Sequence, residues 1–330
     1  MFNNKAILIT GGTGSFGSNF TKFILRNFNP AKLIVFSRDE LKQSRMQKES
    51  NDPRLRFFLG DVRDLGRLQR AFHGVDIVVH AAALKQVPIL EYNPFEAVKT
   101  NILGSQNVIE AAIDQNVDKV LLVSTDKSVQ PINLYGATKL CAEKLFVNSN
   151  AYSSGKTKFS CVRYGNVLGS RGSLVEILLR NKGAQTVQVT HAEMTRFWIT
   201  YEQAFNLVIF ALEQMAGGEI FVPRIPSMKI LDLFEVIVPD ARKEIIGIRP
   251  GEKIHESLLT EAESRRAVEF GEKYYVILPE QNEIFDIQTR FAKYLSGGNP
   301  LPENFSFTSD NNPKWLTPEE LKVLINNLQL

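Results

Sequence analysis

The first half of the chain switches repeatedly between two hydrophobic periods, and that alternation constrains its fold more than any other feature. Short runs rich in Val, Ile, Leu or Phe lie at Ala6–Thr10, Leu33–Phe36, Leu55–Leu59, Ile77–His80 and Val120–Ser124. Continuous apolar runs of this length suit strands covered on both faces. Helical patterns fall between them, near Phe16–Phe28, Glu40–Lys48, Leu65–Phe72 and Pro94–Gln115. Parallel strands need crossovers, and crossovers are right-handed. The pattern therefore predicts an α/β chain built on a Rossmann-type doubly wound parallel sheet. A further helix over Leu134–Asn150 and a sixth strand over Lys158–Val167 complete it.

Beyond Val167 the pattern loosens. Helix signals at Leu174–Arg180, Tyr201–Met215, Ile230–Ile237 and Glu256–Glu263 are separated by short strands such as Glu219–Val222 and Tyr274–Leu278. We read residues 1–170 as a nucleotide-binding domain to which later segments contribute strands and helices, and 171–330 as a smaller, interleaved α/β region that binds substrate, with a C-terminal arm and helix. The polar stretch Ser296–Asn312 reads as a loose arm, and Thr317-Pro-Glu-Glu320 as the capped start of a last helix.

Composition removes several function classes. The chain has 330 residues and a formal net charge of +3, with Lys and Arg scattered, which argues against a nucleic-acid-binding face. Cys141 and Cys161 form no CxxC, as expected for packing residues in a reducing, cytoplasmic setting. The histidines at 73, 80, 191 and 255 fall at no ligand spacing, so no bound metal is expected. No apolar run approaches the ~18 residues of a membrane span, so none is expected.

The turn Thr10-Gly-Gly-Thr-Gly-Ser-Phe-Gly17 joins the first strand to the first helix. Gly11, Gly14 and Gly17 permit a tight turn, close approach of a pyrophosphate, and close helix–strand packing, while Thr13, Ser15 and Phe16 lie between them. This predicts a dinucleotide site. An acid at position 37 would accept from a ribose 2′-hydroxyl; the chain instead has Ser37-Arg38, which can donate to a 2′-phosphate. NADP is the expected cofactor, with Asp39 either capping the next helix or swinging back to favour NAD. Asp61 and Val62 after the third strand, and Ala81 and Ala83 after the fourth, fall along the cofactor's path.

Tyr135 and Lys139, four residues apart, project from one helical face. A tyrosine is a poor base near its usual pKa of ~10, but nearby positive charge lowers it. Tyr135 can then take a substrate hydroxyl proton as hydride leaves the same carbon, with Lys139 holding the cofactor ribose and Thr125 orienting the hydroxyl. Between Thr125 and this pair stand an acid and a potential base, Asp126 and Lys127. A simple redox step has no use for them.

From TGGTGSFG through YGATK to RPGEK near Arg249, nearly the whole chain resembles the extended short-chain dehydrogenase/reductase family, which acts on nucleotide-linked sugars. Asp126-Lys127, with SRDELKQ, HAAALKQVP and STDKSVQP, is similar to its inverting subgroup, the UDP-N-acetylglucosamine 4,6-dehydratases that also epimerise C5. The resemblance implies oxidation at C4, loss of water across C5–C6 and hydride return to C6. Tyr135 would act on the 4-hydroxyl, Asp126 on the leaving 6-hydroxyl, and a neutral Lys127 on C5. It places Asn166 and Arg171 at the UDP-sugar, with Lys85 on the rim. It also sends Thr195-Arg196 and Arg249 to the pyrophosphate and Glu252 to a ribose. Homo-oligomers, dimers or hexamers, and a place in making pseudaminic acid or L-fucosamine-type sugars are further implications. A UDP-sugar 4-epimerase, a retaining dehydratase and a non-catalytic NADP sensor stay as alternatives.

Overall fold

Every residue of Ala6–Thr10 (β1) and of Ile77–His80 (β4) is buried, as strands covered by helices on both faces must be. The computed structural model describes residues 1–153, 155–280 and 285–328. In it, β1 pairs in parallel with β2 (Lys32–Ser37) on one side and β4 on the other. Outward from these lie β3 (Leu55–Leu59) beyond β2, and β5 (Lys119–Val123) then β6 (Lys158–Val162) beyond β4. The order 3-2-1-4-5-6 is that of a dinucleotide-binding sheet, with its switch point between β1 and β4.

The predicted sixth strand breaks in two. Lys158–Val162 stays in the main sheet, while Asn166–Val167 (β7) crosses to a smaller sheet beside Thr195–Ile199 (β9). Gly165, at the break, lies so near Phe197 that a β-carbon there would sit 2.6 Å from the Phe197 Cβ. Thr186–Val189 (β8) forms a separate parallel pair with Arg242–Ile245 (β12).

Later segments extend the main sheet. Ile220–Pro223 (β10), read from sequence as part of the substrate region, continues the main sheet in parallel with β6, pairing Ile220 with Cys161. Tyr274–Ile277 (β15), Ala267–Phe270 (β14) and Asn299–Pro300 (β16) follow antiparallel, making a ten-stranded sheet. An uncovered β6 would leave a row of unpaired backbone groups. The late strands cover it.

Helices on the two faces carry the site. Ser15–Asn27 (α1) packs through Phe16, Phe20 and Phe23 on Phe205 of Tyr201–Gln214 (α9). Glu40–Glu49 (α2) is capped by Asp39, whose side chain accepts from the Lys42 amide. Leu134–Asn148 (α7), which carries Tyr135 and Lys139, is capped by Asn133 accepting from the Gly136 amide at 2.8 Å. A second apolar cluster joins Leu174–Arg180 (α8), Ile230–Ile237 (α10) and Leu321 of the last helix, Pro318–Asn326. No helix among the described residues is long and apolar enough to cross a membrane.

The arm at Ser296–Asn312 is not loose. Phe307–Thr308 (β17) pairs with Ser257–Leu259 (β13), Ser309 is fully buried, and the Asn312 amide donates to the Ile225 carbonyl at 2.8 Å. Its short polar side chains are used up as partners for backbone groups, which a low-hydrophobicity reading cannot see.

Beneath α7, Glu143 accepts from Ser124 Oγ at 2.5 Å, Ser128 Oγ at 2.6 Å and Arg163 Nη2 at 2.7 Å. Arg163 also donates to Glu263 at 3.0 Å, and the side chains of Glu143 and Arg163 are each 1% exposed. Truncating one member of such a buried pair typically costs about 3–5 kcal/mol. Glu143→Ala is therefore expected to lower the urea midpoint of unfolding strongly, whereas a change at exposed Lys144 should leave it in place.

Candidate active site

The β1–α1 turn reaches its shape through glycine. Gly11 sits at φ +65°, and a β-carbon there would fall 2.8 Å from the Ala82 backbone; one on Gly17 would fall 2.6 Å from the Gly11 carbonyl oxygen. Side chains are excluded so that the backbone can press against β4 and present the α1 N-terminus. A groove of about 430 Å³ opens above this turn and runs past Ser37, Arg38, Asp61, Val62, Ala81 and Ala83. The predicted cofactor residues Gly11, Thr13, Gly14 and Ser15 line it as well, and Gly17 packs beneath. Phe16 instead faces the neighbouring cavity.

The far end of the groove carries two cations, Arg38 and Lys42, and two carboxylates, Asp39 and Asp61. Ser37 Oγ and Thr13 Oγ1 lie 2.7 Å apart, and Arg38 reaches only a long contact to Asp61, at 3.7 Å. Asp39, also on the groove wall, caps α2 and pairs with Lys42 Nζ at 2.6 Å. Burial pushes the Asp61 carboxyl up, but two hydrogen bonds from Arg63 and the nearby Arg38 outweigh it and leave the pKa lowered. These features fit a dinucleotide.

A second cavity, of about 370 Å³, adjoins the groove and shares Ser15, Ala81, Ala83 and Lys85 with it. Thr125, Asp126, Lys127, Tyr135, Lys139 and Asn166 all line this cavity. Thr125 caps a short 3₁₀ turn, Asp126–Ser128, that begins just after β5. Its hydroxyl donates to Asp126 Oδ1 at 3.0 Å, and Lys127 Nζ donates to the same oxygen at 2.9 Å. Asp126 is wholly buried, and its other oxygen has no hydrogen-bond partner. Lys139 Nζ donates to the Val123 carbonyl at 2.9 Å.

Two electrostatic expectations are corrected. Burial pulls Lys127 down, but the carboxylates of Asp126 and Glu256 more than reverse that, so its pKa is raised and it stands as an ammonium. Burial likewise raises Tyr135, although Lys127 and a hydrogen bond with Thr125 pull it down; its ordinary state is the neutral phenol. Lys139 behaves differently: burial brings it to about 8, with Glu143 opposing. Lys127 is a cation that pulls Tyr135 down.

Several residues expected at the substrate make contacts within the protein or lie outside the two cavities. Arg171 belongs to the cofactor groove: its Nη2 donates to the Thr13 carbonyl at 2.8 Å, and its backbone N and Nε each reach Ser15 Oγ at 3.2 Å. Thr195 is buried with its hydroxyl between His255 Nδ1 at 2.8 Å and Ser309 Oγ at 2.6 Å, so it faces away from the cavity. Arg196 is also buried, held by the Thr195 and Ile254 carbonyls at 2.7 and 3.0 Å. Arg249 is exposed and Glu252 partly buried, and neither lines either cavity.

Other contributors carry no local sequence signal. Tyr164 and Tyr201 line the catalytic cavity, and Glu256 approaches Lys127 from a loop far along the chain. Gly136 has one signal in hindsight, its place inside the Tyr-x-x-x-Lys run. A β-carbon on it would lie 2.1 Å from the Lys127 carbonyl oxygen, so only glycine lets α7 touch the turn that carries Asp126 and Lys127.

Residues 7–278 match the family described as polysaccharide biosynthesis protein. The chain is 49% identical to a Campylobacter jejuni serotype O:2 protein named UDP-N-acetylglucosamine 4,6-dehydratase (inverting), covering 100% of this chain and 99% of that one. It is 40% identical to a Rickettsia felis protein named UDP-glucose 4-epimerase, over 99% of this chain and 97% of that one. Among solved structures, Pen from Bacillus thuringiensis superposes with a TM-score of 0.87 at 39% identity, covering 99% and 98% of the two chains.

Gly136→Ala should separate the two halves of the site. Dinucleotide binding, followed by fluorescence titration, is expected to stay within about threefold of the parent. Turnover should fall on the order of a hundredfold, the scale of a misplaced catalytic group.

Proposed function

The chain belongs to the polysaccharide biosynthesis protein family, within the extended short-chain dehydrogenases/reductases, and on that premise we propose that it is an inverting UDP-N-acetylglucosamine 4,6-dehydratase, a hydro-lyase that works with NADP. The observation that carries this reading is the pair of buried Asp126 and partly buried Lys127, bonded at 2.9 Å on the wall of the cavity that also holds Tyr135. An epimerase needs Tyr135 and Lys139 only.

When bound, the dinucleotide supplies the acceptor that takes hydride from C4 and later returns it to C6. Tyr135 receives the proton of the 4-hydroxyl, and the ammonium of Lys127 stabilises the phenolate that precedes this transfer. Oxidation at C4 makes the C5 proton acidic, because the carbanion left behind is delocalised as an enolate. Elimination then needs a neutral amine at C5 and a protonated acid at the 6-hydroxyl.

The resting pair holds the right number of protons on the wrong member. Passing one proton along the Lys127–Asp126 hydrogen bond turns ammonium and carboxylate into amine and carboxylic acid. Lys127 then takes the C5 proton, Asp126 gives its own to the departing hydroxyl, and water leaves. The pair ends as ammonium and carboxylate again. The elimination consumes no outside proton; the enolate left when hydride returns to C6 takes one proton at C5, on the opposite face for inversion, which balances the one lost from the 4-hydroxyl.

The choice of NADP over NAD is supported by Arg38 on the groove wall and by the engagement of Asp39 as a cap and as partner of Lys42. Loss of a charge-assisted hydrogen bond of this kind costs about 1.5–3 kcal/mol. Arg38→Ala should thus weaken NADP by roughly ten- to a hundredfold while NAD affinity changes little, as measured by calorimetry. Association of copies belongs to the same reading, supported by Tyr92 and Phe95, 87% and 77% exposed beside α7.

The function is tested by incubating the protein with UDP-N-acetylglucosamine in deuterium oxide and following the sugar by proton NMR and mass spectrometry. Loss of water, a new C6 methyl, deuterium at C5 and couplings of an L-arabino ring are expected. D-xylo couplings would make it a retaining dehydratase, and a mass-neutral C4 epimer would make it an epimerase.

A further inference from the structure

Glu256 is a buried carboxylate that the reaction scheme above does not use. Its side chain is 3% exposed, and it sits among three cations: Lys127 Nζ at 3.4 Å, Arg196 Nε at 3.8 Å and Lys253 Nζ at 3.9 Å. One of its oxygens, Oε2, is buried without a hydrogen-bond partner. Burying an anion is costly unless something uses it. Glu256 is not on the wall of the catalytic cavity, so it stands behind Lys127 with respect to a bound sugar.

Its position is fixed from the far end of the chain. The Glu256 amide donates to Ser309 Oγ at 2.9 Å, and the Ser309 amide donates to the Glu256 carbonyl at 2.8 Å. Ser309 is fully buried and also bonds Thr195 Oγ1 at 2.6 Å. The C-terminal arm thereby clamps the backbone that carries this carboxylate.

We propose that Glu256 is a positioning residue for Lys127, a rigid second carboxylate that holds the amine between itself and Asp126 and so governs when Lys127 can give up its proton. This rests on the dehydratase reading. Lys127 must shed a proton toward Asp126 before it can act as a base, and Glu256 pulls the other way. The remaining groups that face the ammonium are Tyr135 from α7, Arg196 from β9, Lys253 from the Glu256 loop and Lys85 from the β4 loop. Of these, the cations oppose the charge on Lys127, while Asp126 and Glu256 favour it. Removing the Glu256 charge should therefore ease deprotonation of Lys127 and loosen its aim together.

The test is the pH profile of dehydration by Glu256→Gln, which keeps the size of the side chain and removes its charge. The alkaline limb of kcat, where the pair loses the one proton it shares, is expected to move to lower pH by about one unit or more, the scale set by one lost close charge partner. The plateau of kcat should fall on the order of tenfold, with KM for UDP-N-acetylglucosamine within about threefold of the parent. Glu256→Asp, which restores the charge, should return the limb to its place. Should Glu256→Gln fail to fold, Ser309→Ala loosens the same carboxylate and should shift the limb in the same direction by less. A limb unmoved in Glu256→Gln, or a raised KM with kcat intact, would overturn the proposal. A parent enzyme that releases no water would instead overturn the dehydratase reading on which it stands.

Discussion

The carboxylate of Glu143 is the contact on which the catalytic region hangs. It receives Ser124 from the end of β5, Ser128 from the 3₁₀ turn and Arg163 from the end of β6, while its own helix carries Tyr135 and Lys139. Arg163 extends the connection to Glu263 and to the Leu258 carbonyl at 2.9 Å. Three segments far apart in sequence are thus held through one buried anion and its guanidinium partner. Fully satisfied networks of this kind fix geometry more firmly than apolar packing, since any displacement leaves a buried polar group without a partner.

Most of the nucleotide-binding sheet was legible because it is written locally. The β1–β6 runs, the glycine turn and the cap at Asp39 are all set by neighbours within a few residues, and local rules read them. The Thr125, Asp126, Lys127, Tyr135 and Lys139 set was legible for the same reason, since one strand, one turn and one helix carry it. What the sequence does not show is long-range. Thr195, Arg249 and Glu252 carry functional-looking side chains, yet Thr195 is consumed by His255 and Ser309, and Arg249 faces solvent. Glu256 has no local mark, because its meaning comes from Lys127, which only the folded chain brings within 3.4 Å.

The electrostatics were less legible than the geometry. Reasoning from Lys139 and desolvation alone depresses Lys127, and burial does act in that direction. Two carboxylates reverse the balance, and one of them is the unanticipated Glu256. A base that rests in its protonated form is not a contradiction when its neighbour needs that proton to act as an acid. The adjacent Asp-Lys pair is then a single unit with two protonation isomers rather than two independent groups.

The main sheet closes late. β10 covers the edge of β6, and β16, at Asn299–Pro300, forms the final strand. Arg163 meets Glu263 a hundred positions downstream. During synthesis, then, the half of the chain that carries every cofactor contact before β6 leaves the ribosome with an open sheet edge and half of a charge pair still unmatched. At an elongation rate of roughly 5–20 residues per second, that exposure lasts several seconds. The nascent chain must be shielded for that interval, and the nucleotide fold is completed from its carboxyl-terminal end.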